Sequence, residues 1–151
     1  MELITVGIIA LDVAYAIVAQ KGEAVERTFR AKGRSPTKPT GSIGSLEIMR
    51  ELMELTPRCR DIANALVEDY GLPFSPVAPF RADHPFMRRL DPMSIERSTK
   101  AGTLDMLINA GPLHNALAKL AWQHQQPILG SSANRSLAGT KFRLEDIEPE
   151  V

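Results

Sequence analysis

The sequence predicts an α/β fold built as a single domain over residues 1–151. Three observations predict it. The segment LITVGIIAL at residues 3–11 is a near-continuous apolar run of strand length. Segments with apolar residues at helical spacing follow it. The elements then fall in the order strand, helix, helix, strand, helix, strand. A chain of 151 residues is also long enough for one continuous core, since chains of this size hide about two thirds of their unfolded surface.

Each element has its own warrant. The apolar run at 3–11 suits a strand covered on both faces, hence a central one. After Lys21-Gly22, residues 23–31 place Val25 and Phe29 four apart among charged neighbours, a helix that should stop at Gly33. Residues 34–44 are rich in proline, glycine, serine and threonine and read as a loop. Ser45 is the natural N-cap of a helix over 46–55, with Leu46, Met49, Leu52 and Met53 as its stripe.

A second helix is expected over 57–70, with Pro57 in its first turn, Ile62, Leu66 and Val67 inward, and Gly71 as its stop. The proline-rich stretch LPFSPVAPFRADHPF, residues 72–86, reads as a long loop. Residues 103–108 read as a strand. Gly111-Pro112 opens a helix with Leu113, Ala116, Leu117, Leu120 and Ala121 inward. Residues 127–130 form a last short strand, and SSANRS follows its carboxyl end, where open α/β sheets bind ligands.

Composition narrows the function. Eighteen basic against eighteen acidic residues give no net charge, which argues against a general nucleic-acid coat but leaves room for a local basic patch. Cys59 is the only cysteine, so no internal disulfide and no cysteine zinc cluster can form, and a reducing, cytoplasmic compartment is expected. The apolar N-terminal stretch carries Glu2 instead of a basic flank and is broken by Asp12, so neither a signal peptide nor a membrane span is expected. His84, His114 and His124 lack metal-ligand spacing, so no metal site is assigned to them. No nucleophile, base and orienting acid form a recognisable triad.

Two polar clusters remain, KGRSPTKP at residues 32–39 and SSANRS at residues 131–136. Lys32 and Arg34 are two apart at a helix exit, so in extended backbone both point to one face, and Lys38 can return toward them across the proline turn. Such a fork suits phosphate or carboxylate; a solvated basic loop is the alternative. Ser131, Ser132, Asn134 and Ser136 offer hydroxyls and an amide that can grip phosphate or ribose, or else cap their own backbone.

Together the clusters resemble the YrdC-like family. Members carry a K-x-R motif followed by a lysine-proline or arginine-proline pair, and later an S-x-N motif after a strand. Here these are Lys32-Gly33-Arg34, Lys38-Pro39 and Ser132-Ala133-Asn134. LDVAYAI is similar to the family's P-T-[DE]-T-x-Y-G-L, retaining Asp12 and Tyr15, and NAGPLHNALAKLA is similar to the helix entry that precedes the S-x-N strand. The resemblance covers most of residues 5–147.

It implies a twisted open mixed sheet flanked by helices. It also implies a nucleotidyltransferase that condenses threonine, bicarbonate and ATP into threonylcarbamoyl-AMP with release of pyrophosphate, for a modified adenosine of transfer RNA. In that reading Lys32 and Arg34 are catalytic, and Lys38, Ser132, Asn134 and Ser136 bind the nucleotide. Tyr15 and Asp12 belong to the amino-acid pocket, and Mg2+ accompanies ATP. A tRNA or double-stranded RNA partner, a homodimer and the absence of a membrane partner complete it. The alternative is a non-catalytic RNA- or nucleotide-binding module of the same fold. The chain also departs from the pattern: Leu11 and Val13 stand in place of the first motif's threonines, Ala16 in place of its glycine, and Leu137-Ala138 precede Gly139 in the S-x-N loop.

Overall fold

The computed structural model describes residues 6–151. Its strands are β1 (Val6–Ala10), β2 (Tyr15–Ala19), β3 (Gly41–Gly44), β4 (Val77–Pro79), β5 (Thr99–Lys100), β6 (Thr103–Ile108) and β7 (Leu129–Ser132). Its helices are α1 (Gly22–Lys32), α2 (Leu46–Leu52), α3 (Pro57–Asn64), α4 (Pro92–Ser98) and α5 (Pro112–Gln123). The strands form one mixed sheet in the order β1-β2-β7-β3-β6-β4, with β5 paired to the start of β6. β3 runs parallel to β6, and the other pairings are antiparallel.

The N-terminal run corrects the expectation of one central strand. It is a hairpin, paired from Val6↔Ala19 to Ala10↔Tyr15 and closed by the Leu11 amide donating to the Ala14 carbonyl at 3.1 Å. β1 is therefore an edge, with Ile8 40% exposed, while β2 takes the covered place with Ile17 and Ala19 buried. Two strands' worth of apolar residues, joined by a turn without glycine or proline, read as one buried strand. Residues 3–5 of the expected strand lie outside the described residues.

The expected loop over 34–44 also hides a strand. β3 lies between β7 and β6, and a Cβ on Gly44 would fall 2.2 Å from the Met106 side chain. That crowding accounts for a glycine where a β-former would be more usual. The flanking helices follow the sequence closely: Gly33 ends α1 at φ 55°, and the Ser45 hydroxyl caps α2 by accepting from the Ile48 amide.

α3 continues through a π-helical turn over Ala65–Asp69 to Gly71 at φ 64°, but its inward face is shifted. Ala63 is buried whereas Ile62 is 50% exposed. α5 is displaced in part: Ala121 is buried and Leu117 packs against the core as expected, His114 and Ala118 join them, and Leu113, Ala116 and Leu120 are exposed. The small Ala118 and Ala121 sit in the core, and burial holds the His114 imidazole below the ordinary histidine range.

The stretch 72–86 is not loop throughout. It contains β4, an edge partner of β6 where prolines cost no ladder hydrogen bond. Beyond it come α4 and β5, which the sequence did not announce.

Asp91 fixes this region to α1. Its carboxylate accepts from the Ser94 amide at 2.9 Å and the Ser94 hydroxyl at 2.8 Å, capping α4, and from the Gly22 amide at 2.8 Å, the start of α1. Partial burial pushes its pKa up, but the Ser94 and Gly22 bonds outweigh it and hold the carboxyl below its usual value. Asp91→Ala is expected to cost about 1–2 kcal/mol at neutral pH. A depressed carboxylate stabilises above its unfolded pKa and loses that contribution as pH falls through the folded one. Wild type and variant should therefore converge on acidification, in melting curves recorded between pH 7 and the acid limit.

Alternation along β6 sets the two faces of the sheet. Leu104, Met106 and Ile108 are buried in the core with Phe29, Ile48 and Leu52. Asp105 and Leu107 turn to the other face, where a cleft lies.

Candidate functional site

That cleft has a volume of about 370 Å³ and is lined by residues from β2, β3, β6 and β7, with Arg34, Ser75 and Thr140 contributed by the connections. It sits on the face of the sheet, whereas the sequence pointed only to the carboxyl end of one strand. The C-terminal segment closes one side: the Tyr15 amide donates to the Lys141 carbonyl at 3.0 Å and the Ala133 amide to the Tyr15 carbonyl at 2.8 Å. Glu148 holds this segment to the S-x-N loop by pairing with Lys141 at 3.0 Å and accepting from the Arg135 amide at 3.1 Å.

Arg34 is the cationic group on the cleft wall. Its Nε donates to the Lys38 carbonyl at 3.0 Å, its Nη1 to the Ser131 hydroxyl at 3.1 Å and its Nη2 to the Pro39 carbonyl. Its guanidinium also lies 5.6 Å from the Phe29 ring centre. These contacts fix the planar group before any ligand arrives. Burial draws its pKa below the ordinary value while the Asp105 charge opposes that.

Lys32 lies beneath the cleft instead of on its wall, only 1% exposed. Its Nζ donates to the Ser132 carbonyl and, at 2.6 Å, to the Asn134 carbonyl, and its own carbonyl accepts from the Ser136 amide at 2.8 Å. The end of α1 and the S-x-N loop are thus clamped together by one ammonium and one carbonyl. Desolvation, reinforced by the charges of Arg34 and Lys38, lowers the Lys32 pKa to about 8.

The remaining expected site residues divide among three places. Tyr15 and Ser132 line the cleft. Asn134 and Ser136 sit in the clamp, where the Asn134 Oδ1 and Ser136 Oγ are buried without a partner among the described residues. Lys38 is exposed on the loop that Arg34 ties down. Asp12 is exposed outside the lining, against Gly111, where a Cβ would fall 2.4 Å from its carboxylate.

Sequence reasoning missed Ser42, Ser75, Asp105 and the Arg34 contact of Ser131. Strand alternation could have placed Asp105 opposite Leu104 and Met106. It could not say that this face is open. Among the described residues no three His, Cys, Asp or Glu side chains are grouped to hold a metal ion, and no helix is long and apolar enough to cross a membrane.

No protein-family model and no curated protein matches the chain. Solved structures do. A hypothetical protein from Streptococcus mutans UA159 superposes with a TM-score of 0.77 at 25% identity, over 96% of this chain and 56% of that one. P. abyssi Sua5, crystallised with L-threonine, gives 0.61 at 24% identity, over 90% of this chain and 37% of that one. E. coli YciO gives 0.64 at 18% identity, over 98% and 67%. The chain has a YrdC-like fold. The S. mutans and P. abyssi proteins are longer, and the chain spans 56% and 37% of them. The YrdC-like sheet places Arg34, Tyr15 and Ser132 around one cleft, although Leu11 and Val13 line it where the sequence pattern has threonines.

Proposed function

We propose that the cleft binds ATP and an amino acid, and that the protein is an enzyme related to L-threonylcarbamoyladenylate synthases. The observation that carries this reading is a preorganised guanidinium, Arg34, set beside the hydroxyls of Ser131 and Ser132 in a cleft of about 370 Å³. Bicarbonate, the amino acid's carboxylate and a triphosphate repel one another, and a fixed cation on the wall offsets that repulsion and stabilises charge at the transferring phosphorus. A guanidinium already held by three acceptors needs no reorganisation when the phosphates arrive. That is the condition under which such a group contributes most.

In this reading Lys32 is a positioning residue. Its ammonium fixes the backbone that carries Ser132, Asn134 and Ser136, and through it the rim on which the nucleotide rests. Tyr15 walls the amino-acid side of the cleft. Magnesium would enter with ATP and be held chiefly through its phosphates, as is usual for that ion. The single exposed cysteine, Cys59, suits a reducing cytoplasmic setting.

The test is release of pyrophosphate from ATP in the presence of magnesium, bicarbonate and a panel of amino acids that includes threonine. Amino-acid-dependent release above the ATP-only rate is expected. Absence of release together with absence of ATP binding by calorimetry would overturn the proposal.

A further inference from the structure

The floor of the cleft carries a group that an anion-binding site does not require. Asp105 sits in mid-β6, its Oδ1 accepts from the Ser75 hydroxyl, and its Oδ2 lies against Gly41, where a Cβ would come within 3.4 Å of it. Oδ2 has no hydrogen-bond or ion-pair partner among the described residues. The Ser75–Asp105 bond is solvent-exposed, so Oδ2 is an acceptor that a donor entering the cleft can reach.

The serines next to it do not fill that role. The Ser42 hydroxyl donates to the Asp105 carbonyl at 3.0 Å, and that of Ser75 already holds Oδ1. The cleft is therefore bipolar, with a guanidinium on one wall and a carboxylate on the floor. Leu11, Val13, Val18 and Leu107 supply apolar surface around them.

We infer that Asp105 is the specificity-determining residue of this cleft, its Oδ2 accepting the ammonium group of an α-amino acid whose aliphatic side chain packs on Leu11, Val13 and Leu107. The inference rests on the reading of the cleft as an amino-acid site and names the class of amino acid it takes. An ammonium on a carboxylate is a charge-assisted pair, about twice as strong as a neutral hydrogen bond. The carboxylate on the same carbon is drawn to the cationic side of the cleft, where Arg34 lies. An apolar wall also favours an aliphatic side chain over its hydroxylated isostere, by up to about a hundredfold.

The experiment titrates L-valine, L-threonine and (S)-2-hydroxyisovalerate, which has a hydroxyl in place of valine's ammonium, into the wild-type chain and Asp105→Asn, with ATP titrated separately. Valine is expected to bind at least tenfold more tightly than the hydroxy acid and more tightly than threonine. Asp105→Asn should remove the valine advantage over the hydroxy acid. If that variant does not fold, the wild-type comparison of valine with the hydroxy acid decides alone. Equal binding of those two overturns the inference while ATP binding leaves the nucleotide reading standing. Failure of ATP to bind overturns that reading, and the valine comparison still tests Asp105.

Discussion

Lys32→Met is expected to destabilise the protein by about 2–3 kcal/mol, the scale of hydrogen bonds to a charged donor whose acceptors are left buried. For a chain of this size that corresponds to a fall in melting temperature of roughly 5–10 °C. Methionine preserves the apolar stem but leaves the Ser132 and Asn134 carbonyls without the ammonium that joins them. The loss should be concentrated in the S-x-N loop, so hydrogen exchange at residues 132–136 should accelerate more than exchange in β6. A methionine variant that melts with wild type, with the loop still protected, would show that the clamp is dispensable.

The same ammonium gives stability a pH slope. Burial first, then the charges of Arg34 and Lys38, brings Lys32 from 10.5 to about 8, with Glu148 opposing. Below the folded value the side chain is protonated in both states, and above the unfolded value in neither. Between them the unfolded chain holds a proton that the folded chain has released, so this group's contribution to stability rises with pH across that window. In Lys32→Met that contribution is absent, and the gap between the two proteins should vary with pH only there.

What was legible in the sequence, and what was not, follows from which forces are local. Gly33, Ser45 and Pro112 marked helix ends because caps and positive φ are decided within a few residues. β6 was legible over its whole length, since its flanks and apolar content agree. β3 was not, because its residues Gly41, Ser42, Ile43 and Gly44 are chosen for the closeness of β6 and β7, a tertiary demand that contradicts strand propensity. The hairpin was hidden for the converse reason: Leu11 to Ala14 turn without glycine or proline, and Asp12 interrupts the apolar run without by itself marking a reversal of the chain.

The candidate site divides along the same line. Lys32, Arg34, Ser132 and Asn134 were visible as motifs, but a motif does not say which side chain reaches a ligand and which holds the backbone. The geometry separates them, with Arg34 on the wall and Lys32 below it. Asp105 had no motif at all. Its significance depends on an open sheet face and on the commitments of Ser42 and Ser75, neither of which is written in the sequence around it.

Arg34→Ala is expected to reduce ATP-dependent pyrophosphate release by about 10²–10³-fold, the usual cost of deleting a preorganised donor aimed at developing charge. Arg34→Lys should recover only part of that loss. A lysine can restore the charge, but it cannot hold the Lys38 and Pro39 carbonyls and the Ser131 hydroxyl at once while lying over Phe29. The two substitutions should also differ from Lys32→Met in kind. Because Arg34 faces the cleft, its loss should weaken ATP binding at temperatures where the fold is intact, whereas the Lys32 defect should track unfolding of the loop. Calorimetric titration of ATP with each variant, well below its melting temperature, separates the two. ATP affinity within threefold of wild type in Arg34→Ala would remove this guanidinium from the nucleotide site.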